Sequence, residues 1–148
     1  MSFTPLCMQA QPFEFEFDVA HTALIVIDMQ RDFVEPGGFG ASLGNDVNLL
    51  RAIIPTVRRV MDAWRAAGGL VIHTREGHKP DLSDLPANKR WRSQRIGAGI
   101  GDQGPQGRIL VRGEPGWDII PELYPLPGEA IIDKPGKGCF CATDLEML

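Results

Sequence analysis

An acidic and a basic residue each follow an apolar run of the kind that forms a buried strand. Asp28 comes directly after residues 24–27 (LIVI), and Lys134 comes directly after residues 130–133 (AIID). Unbroken aliphatic runs are typical of strands buried on both faces of a parallel sheet, which binds ligands beyond the carboxyl ends of its strands. A carboxylate beside an ammonium group can activate a nucleophile or a water molecule. The alternatives are a turn-forming Asp28 and an ordinary structural ion pair.

The elements that must position these two residues form one βαβ unit and a further strand. Asn45 or Asp46 can cap an amphipathic helix that runs to about Ala67, with Pro55 in its first turn and Gly68-Gly69 at its end. A strand, a helix and a strand of these lengths predict a right-handed crossover. The expected core strands are residues 23–27, 70–74 and 130–133. The sequence therefore predicts an α/β fold with a parallel sheet.

Outside these elements, the sequence predicts several short elements and one long connection. Residues 13–18 alternate apolar and acidic types, which predicts a half-exposed strand that pairs at a sheet edge or packs on a partner subunit. Residues 75–107 form a long polar connection, expected to be a lid, a binding loop or an interface segment. We also expect a short strand at 108–111, a helical turn at 117–123 and the start of a helix at 143–148.

Composition narrows the classes of function. The 148 residues suggest one domain, the 43% apolar content is enough for a core, and the net charge of −4 gives no reason to expect a nucleic-acid partner. The basic run Asn88–Arg95 can be a phosphate or RNA patch, although a solvated loop or a subunit contact is favoured. Three cysteines indicate a reducing compartment. With no leader at the N-terminus and no apolar run long enough for a bilayer, we expect a cytoplasmic protein.

Four blocks of sequence carry a resemblance to a known family. ALIVIDMQRDF, VIHTREGHKPDLSDLP, GRILVRGEPGWDIIPEL and IIDKPGKGCFCATDLE resemble, in this order, the isochorismatase-like cysteine hydrolases. The run PANKRWRSQRIGAGIGD resembles the branch that hydrolyses the ureides biuret and triuret. The resemblance implies a Rossmann-like three-layer sandwich that is incomplete in this chain. Residues 1–20 would be an N-terminal arm, and residues 21–148 the N-terminal part of a single hydrolase domain.

The resemblance also implies roles for individual residues. The family uses an Asp–Lys–Cys triad, in which Asp28 would be the general base and Lys134 would stabilise the thiolate and the charge on the substrate oxygen. The nucleophilic cysteine would lie beyond Leu148. Phe33 and Phe140 would contact the substrate. Cys139 and Cys141 are expected to be small buried or loop cysteines, in preference to a replacement nucleophile or a metal clip.

No metal and no cofactor are expected. The nicotinamidases of this family bind zinc through Asp-x-His and a second histidine, whereas this chain has Glu76-Gly77-His78 and no second histidine after it. His73 lies inside an expected strand and is interpreted as a core histidine. The expected partners are a small ureide and other copies of the chain in a homo-oligomer, with no membrane and no nucleic acid.

Three functional interpretations remain open at this point. The first is an amidohydrolase that cleaves a C–N bond of biuret or triuret through a thioester. The second is another amidase of the family, acting on N-carbamoyl compounds or ureidoacrylate. The third is an inactive fragment whose contacts are only structural, because an open sheet edge would leave apolar surface exposed.

Overall fold

The structure is a computed structural model that describes residues 5–148. Its strands are β1 (Leu6–Met8), β2 (Phe15–Phe17), β3 (Ala23–Ile27), β4 (Leu70–Glu76), β5 (Gln103–Gly104), β6 (Gly107–Arg108) and β7 (Ala130–Lys134). Its α-helices are α1 (Arg31–Val34), α2 (Phe39–Ser42), α3 (Val47–Arg51), α4 (Ile54–Ala66) and α5 (Ala87–Arg95). Single 3-10 turns occur at Val19–His21, Pro115–Trp117, Pro121–Leu123 and Leu145–Met147. Among the described helices, none has the length and apolar character needed to cross a membrane.

A three-stranded parallel sheet in the order β3-β4-β7 is the centre of the fold. The register places Ile27 of β3 opposite Thr74 of β4, and Glu76 of β4 opposite Lys134 of β7. All three strands therefore end at the same edge of the sheet. The predicted α/β fold with a parallel sheet is confirmed, and the three predicted core strands are present.

Helix α4 packs its apolar side against one face of the sheet. Met61 of α4 is fully buried and belongs to the same cluster as Val26 of β3 and Val71 of β4. A smaller cluster joins Ile72 and Ile132 to Leu145. Burying one aliphatic side chain of this size contributes about 1.5–3 kcal/mol, so these contacts fix the strands whose ends carry the polar residues.

Strand β3 is less buried than its sequence predicts. Ile25 and Ile27 are 37% and 57% exposed, whereas Val26 between them is buried. The prediction of a strand buried on both faces is therefore wrong for β3 in this chain. The reason is its position at the edge of the sheet, where an apolar groove between β3 and α4 stays open.

The predicted helix from Asp46 to Ala67 is two helices. The side chain of Asp46 caps α3 by accepting a hydrogen bond from the Asn48 amide, as its type predicts. Helix α4 then begins at Ile54 with Pro55 in its first turn, because the proline ring clashes with the carbonyl group four residues earlier and α3 cannot continue through it. Gly68 ends α4 with a φ of +73°, the left-handed conformation expected there.

The long connection after β4 contains a helix that the sequence did not reveal. We expected a lid, a binding loop or an interface segment at 75–107, and within it α5 occupies Ala87–Arg95 and includes most of the basic run. Its sequence is polar all round, so it shows no apolar stripe of the kind that marks a helix. Buried Ser93 and an ion pair from Lys89 tie it to the rest of the molecule instead.

Two further expectations need correction. The acidic strand, β2, pairs with β1 in a small antiparallel sheet instead of joining the edge of the main sheet, and Phe17 stacks on Trp64 of α4. The expected strand at 108–111 is reduced to β6 and one bridge between Val111 and His78. Leu110, inside that segment, has a φ of +50°, a left-handed conformation that an extended strand cannot contain.

Candidate functional site

Asp28 and Lys134 meet at the carboxyl edge of the parallel sheet. The Lys134 Nζ atom lies 2.6 Å from Asp28 Oδ2 and 3.1 Å from the Gly136 carbonyl oxygen. The Lys134 side chain is 1% exposed, while that of Asp28 is 19% exposed. A buried ammonium group must be paired to stay charged, so the two side chains are bound to each other by electrostatics. The structure thus brings together the two residues that the strand ends indicated.

The backbone of Asp28 adopts an uncommon conformation. Its φ is +53°, in the left-handed region that a residue other than glycine rarely occupies. Thr74 on β4 holds it there, because the Asp28 amide lies 3.1 Å from the Thr74 carbonyl oxygen and the Thr74 hydroxyl donates to Asp28 Oδ1 at 2.6 Å. Strained residues of this kind cluster at functional sites. In this conformation the carboxylate contacts Lys134 of β7.

Gln30 locks the turn that follows Asp28. Its side-chain amide is completely buried and donates to the carbonyl oxygens of Glu76, at 2.9 Å, and Trp117, at 2.6 Å. Its oxygen accepts from the Glu76 amide at 2.7 Å. One side chain therefore replaces sheet hydrogen bonds between the ends of β3 and β4. Gln30 belongs to the block ALIVIDMQRDF, but its structural role depends on the register of β3 and β4.

A second set of charges lies next to Lys134. Glu76 Oε2 is 3.7 Å from Lys134 Nζ, and Glu76 Oε1 is 2.6 Å from Lys89 Nζ on α5. Burial would raise the pKa of the Glu76 carboxyl. The hydrogen bond from Lys89 and the positive charges of Lys89 and Lys134 outweigh that effect and hold the pKa below its usual value. Glu76 is therefore an anion shared by two ammonium groups.

Lys89 also contacts a buried histidine. The Nε2 atom of His78 lies 2.9 Å from Lys89 Nζ, and its Nδ1 atom lies 3.3 Å from Asp84 Oδ1. Burial and the charge of Lys89 lower the pKa of His78, which favours the neutral ring. Because the Nε2 atom of His78 accepts a hydrogen bond from an ammonium group, the single proton of the neutral ring belongs on Nδ1.

A cleft of about 290 Å³ opens beside these charges. A neighbouring opening of about 320 Å³ shares Lys89, Arg92 and Lys137 with it. Glu76 is the one carboxylate of the cleft wall among the described residues. The wall is completed by apolar side chains and one hydroxyl, namely Phe33, Phe39, Leu43, Ile96, Ile100, Leu110 and Ser93. A cavity with this mixture of apolar wall and few polar groups is typical of a small-molecule site.

The two phenylalanines expected to contact a substrate differ in placement. Phe33 is half-buried, lines the cleft and meets Phe39 edge to face, with ring centroids 6.2 Å apart. Phe140 is 67% exposed and lies outside the cleft wall. Its proposed contact stays a prediction without support from the geometry.

The three cysteines differ in exposure and surroundings. Cys7 is in the exposed hairpin, Cys141 is exposed, and Cys139 packs beside the cluster of Leu145. Among the described residues, no cysteine sulfur hydrogen bonds to Asp28 or Lys134. The described part of the chain also contains no group of three histidine, cysteine or acidic residues that could hold a metal ion.

The sequence missed the polar groups that α5 and the Gln30 side chain bring to this edge. Lys89 and Arg92 were assigned to a solvated basic run, because nothing in the local pattern places them beside Glu76. Lys137 follows Lys134 by three residues, and nothing in its local sequence assigns it to the cleft. The sequence does contain one usable signal. A charged residue ends or directly follows each strand of the parallel sheet, at Asp28, Glu76 and Lys134.

Comparison with known proteins identifies the family. The model of the isochorismatase domain matches residues 22–148. A solved isochorismatase family protein from Desulfovibrio vulgaris is 30% identical, with a TM-score of 0.63 over 84% of this chain and 58% of its own. A cysteine hydrolase from Pseudomonas syringae is 28% identical, with a TM-score of 0.67 over 88% of this chain and 54% of its own.

A more distant structure shares the fold. N-carbamoylsarcosine amidase from Thermoplasma acidophilum is 21% identical, with a TM-score of 0.56 over 84% of this chain and 58% of its own. The chain thus spans little more than half the length of the solved structures it matches. The family model nevertheless covers the sheet, α4, α5 and every residue of the site described above. This chain belongs to the isochorismatase family.

Proposed function

We propose that this chain carries two of the three catalytic groups of a cysteine-dependent amidohydrolase that acts on small linear ureides. The observation that carries the proposal is the contact between Asp28 and the buried Lys134 at the edge of a parallel sheet, where Glu76, 3.7 Å from Lys134 Nζ, also lines the cleft. The similarity to a cysteine hydrolase at 28% identity supports the same class of reaction. Asp28 and Lys134 are the proposed catalytic residues, and Phe33 is a proposed substrate contact.

The proposed reaction needs a thiol that comes from outside the described residues. Asp28 would take the proton of that thiol, and the Lys134 ammonium would stabilise the thiolate. Attack on the ureide carbonyl forms a C–S bond and breaks the C–N bond, and Asp28 returns the proton to the departing ammonia or amine. Water then cleaves the thioester to give a carbamate and the free thiol.

Biuret and triuret are the proposed substrates, and N-carbamoyl compounds or ureidoacrylate are the second candidate. Arg92 and Lys137 favour the second candidate, because both line the cleft and neither forms an ion pair within the described part of the chain. An exposed pair of cations can bind a substrate carboxylate, which neutral biuret and triuret lack. A ureide with a carboxylate would therefore gain a contact that biuret cannot make.

The test is a substrate panel with the natural protein. Ammonia release is measured with biuret, triuret, ureidoacrylate and N-carbamoylglycine, and intact mass is recorded after rapid acid quenching to trap the thioester. The proposal expects hydrolysis of at least one ureide and an adduct on a cysteine. No ammonia from any member of the panel would contradict the proposal and favour a purely structural role. Faster turnover of the carboxylated compounds would favour the second candidate.

A further inference from the structure

Glu76 is placed where it can compete with Asp28 for the same lysine. The Lys134 ammonium lies 2.6 Å from Asp28 Oδ2 and 3.7 Å from Glu76 Oε2. Glu76 faces Lys134 across the ladder between β4 and β7. Two carboxylates therefore flank one buried cation, and the shorter contact belongs to Asp28.

Lys89 supplies the positive charge that balances Glu76. Its Nζ atom lies 2.6 Å from Glu76 Oε1, 2.9 Å from His78 Nε2 and 3.1 Å from the Pro135 carbonyl oxygen. An ammonium group has three protons, and three acceptors surround this one. The Lys89 side chain is 15% exposed and that of Glu76 is 12% exposed, so water screens their attraction only weakly.

The neighbouring contacts fix the position of Lys89 itself. His78 is fully buried and is held from its other nitrogen by Asp84, whose Oδ1 atom also accepts from the Lys79 amide at 2.9 Å. The backbone of Gly77, between Glu76 and His78, donates to the Lys134 carbonyl oxygen at 3.0 Å. The ammonium of Lys89 is therefore held between the end of β4 and the loop that follows β7.

We propose that Lys89 is a positioning residue that pairs with Glu76 and thereby leaves Lys134 to Asp28. The inference rests on the proposed function, because it concerns the lysine of the proposed catalytic pair. Without Lys89, Glu76 would be a buried anion with Lys134 as its remaining cationic partner at the ladder. The attraction between them would then draw the Lys134 ammonium away from Asp28.

If Lys89 only held α5 in place, its variants would behave differently in kinetic measurements. Lys89 also attaches α5 to the sheet, and α5 supplies Arg92, Ser93 and Ile96 to the cleft wall. If docking of α5 were the whole role, loss of Lys89 would weaken substrate binding and removal of the Glu76 charge would not repair it. If Lys89 acts through Glu76, neutralising Glu76 must restore turnover.

The experiment compares Lys89→Gln, Glu76→Gln and the double variant in the natural protein. Lys89→Gln is expected to lower kcat for the ureide more than tenfold while changing KM less than threefold. The double variant is expected to recover kcat to within about threefold of the wild type. Arg90→Gln is the matched control, since it removes the same charge from an exposed position of the same helix and is expected to change neither constant by more than twofold.

A second measurement does not depend on turnover. Carbon-13 NMR of the Glu76 carboxyl in Lys89→Gln is expected to show a higher midpoint of titration than in the wild type, because a hydrogen bond and a nearby positive charge are lost. An unchanged midpoint, or a double variant as slow as Lys89→Gln, would overturn the positioning role. If the wild-type protein hydrolyses no ureide, the proposed function fails, and the NMR titration still decides whether Lys89 controls Glu76.

Discussion

The Thr74 hydroxyl donates a 2.6 Å hydrogen bond to Asp28 Oδ1, while the other carboxylate oxygen of Asp28 contacts Lys134. Three neighbouring strands thus each contribute one group to a single chain of contacts. Both oxygens of the carboxylate are used, so its orientation is fixed although the φ of Asp28 is +53°. The rigid sheet therefore positions the proposed base before any ligand is present.

Replacing Asp28 by Asn should remove the negative charge of the side chain and keep the left-handed backbone conformation of the turn. Asparagine tolerates the left-handed region nearly as well as aspartate, so the turn should survive. We expect ureide turnover to fall by at least about 100-fold, the usual contribution of a general base. Ammonia release by the natural protein measures the loss. Asp133→Asn is the control, because the Asp133 carboxylate pairs with Arg75, whereas that of Asp28 pairs with Lys134, so the control should leave turnover within about twofold. Equal losses in both variants would remove the special role of Asp28.

Replacing Lys134 by Met should reveal how strongly the buried pair is coupled. Loss of one partner of a buried ion pair costs about 3 kcal/mol, because the other partner is left without compensation. Asp28→Asn and Lys134→Met should each lower the free energy of unfolding by about this amount. The double variant should lose at least about 1 kcal/mol less than the sum of the two single losses. Urea unfolding of the four proteins gives the coupling, and strict additivity would mean that the contact contributes nothing.

The sequence was sufficient for the three strands of the parallel sheet and for two residues of the candidate site, but not for the strand expected at 108–111. Core strands are recognisable because their apolar runs are local, and Asp28 and Lys134 follow them directly. Lys89 could not be placed in this way, since α5 has no apolar stripe and its contact with Glu76 depends on a connection of ten residues. The exposure of Ile27 was also missed, because strand order is a property of the whole sheet.

Gln30 should matter more for stability than a single polar residue usually does. Gln30→Leu keeps the volume but leaves the buried Glu76 amide without its acceptor and the Trp117 carbonyl without its donor. Each such loss costs about 1–3 kcal/mol, so we expect a decrease of at least about 2 kcal/mol in the free energy of unfolding. Urea unfolding provides the value. Gln94→Leu, at an exposed position of α5, should stay within about 0.5 kcal/mol of the wild type. A small effect of Gln30→Leu would show that water replaces the lost groups.

Stability in acid should depend on Glu129. The paired hydrogen bonds from Arg65, at 2.7 and 2.8 Å, are the main cause that lowers the pKa of Glu129 to about 2, and the Leu126 amide and His73 act in the same direction. Because the pKa is lower in the folded state than its ordinary value of 4.5, the stabilisation is complete above pH 4.5 and is lost as the pH falls towards 2. The shift corresponds to about 3 kcal/mol.

Glu129→Gln isolates this contribution. The free energy of unfolding of the wild type should fall more steeply between pH 5 and pH 2.5 than that of the variant, and the two curves should converge at the acid end. Urea unfolding at a series of pH values measures both curves. Glu122→Gln removes one negative charge from an exposed ion pair with Arg51 and controls for the change in net charge. Parallel curves for the wild type and Glu129→Gln would contradict the lowered pKa. The ion pair with Arg65 would then be a surface contact that contributes little to the acid stability of the fold.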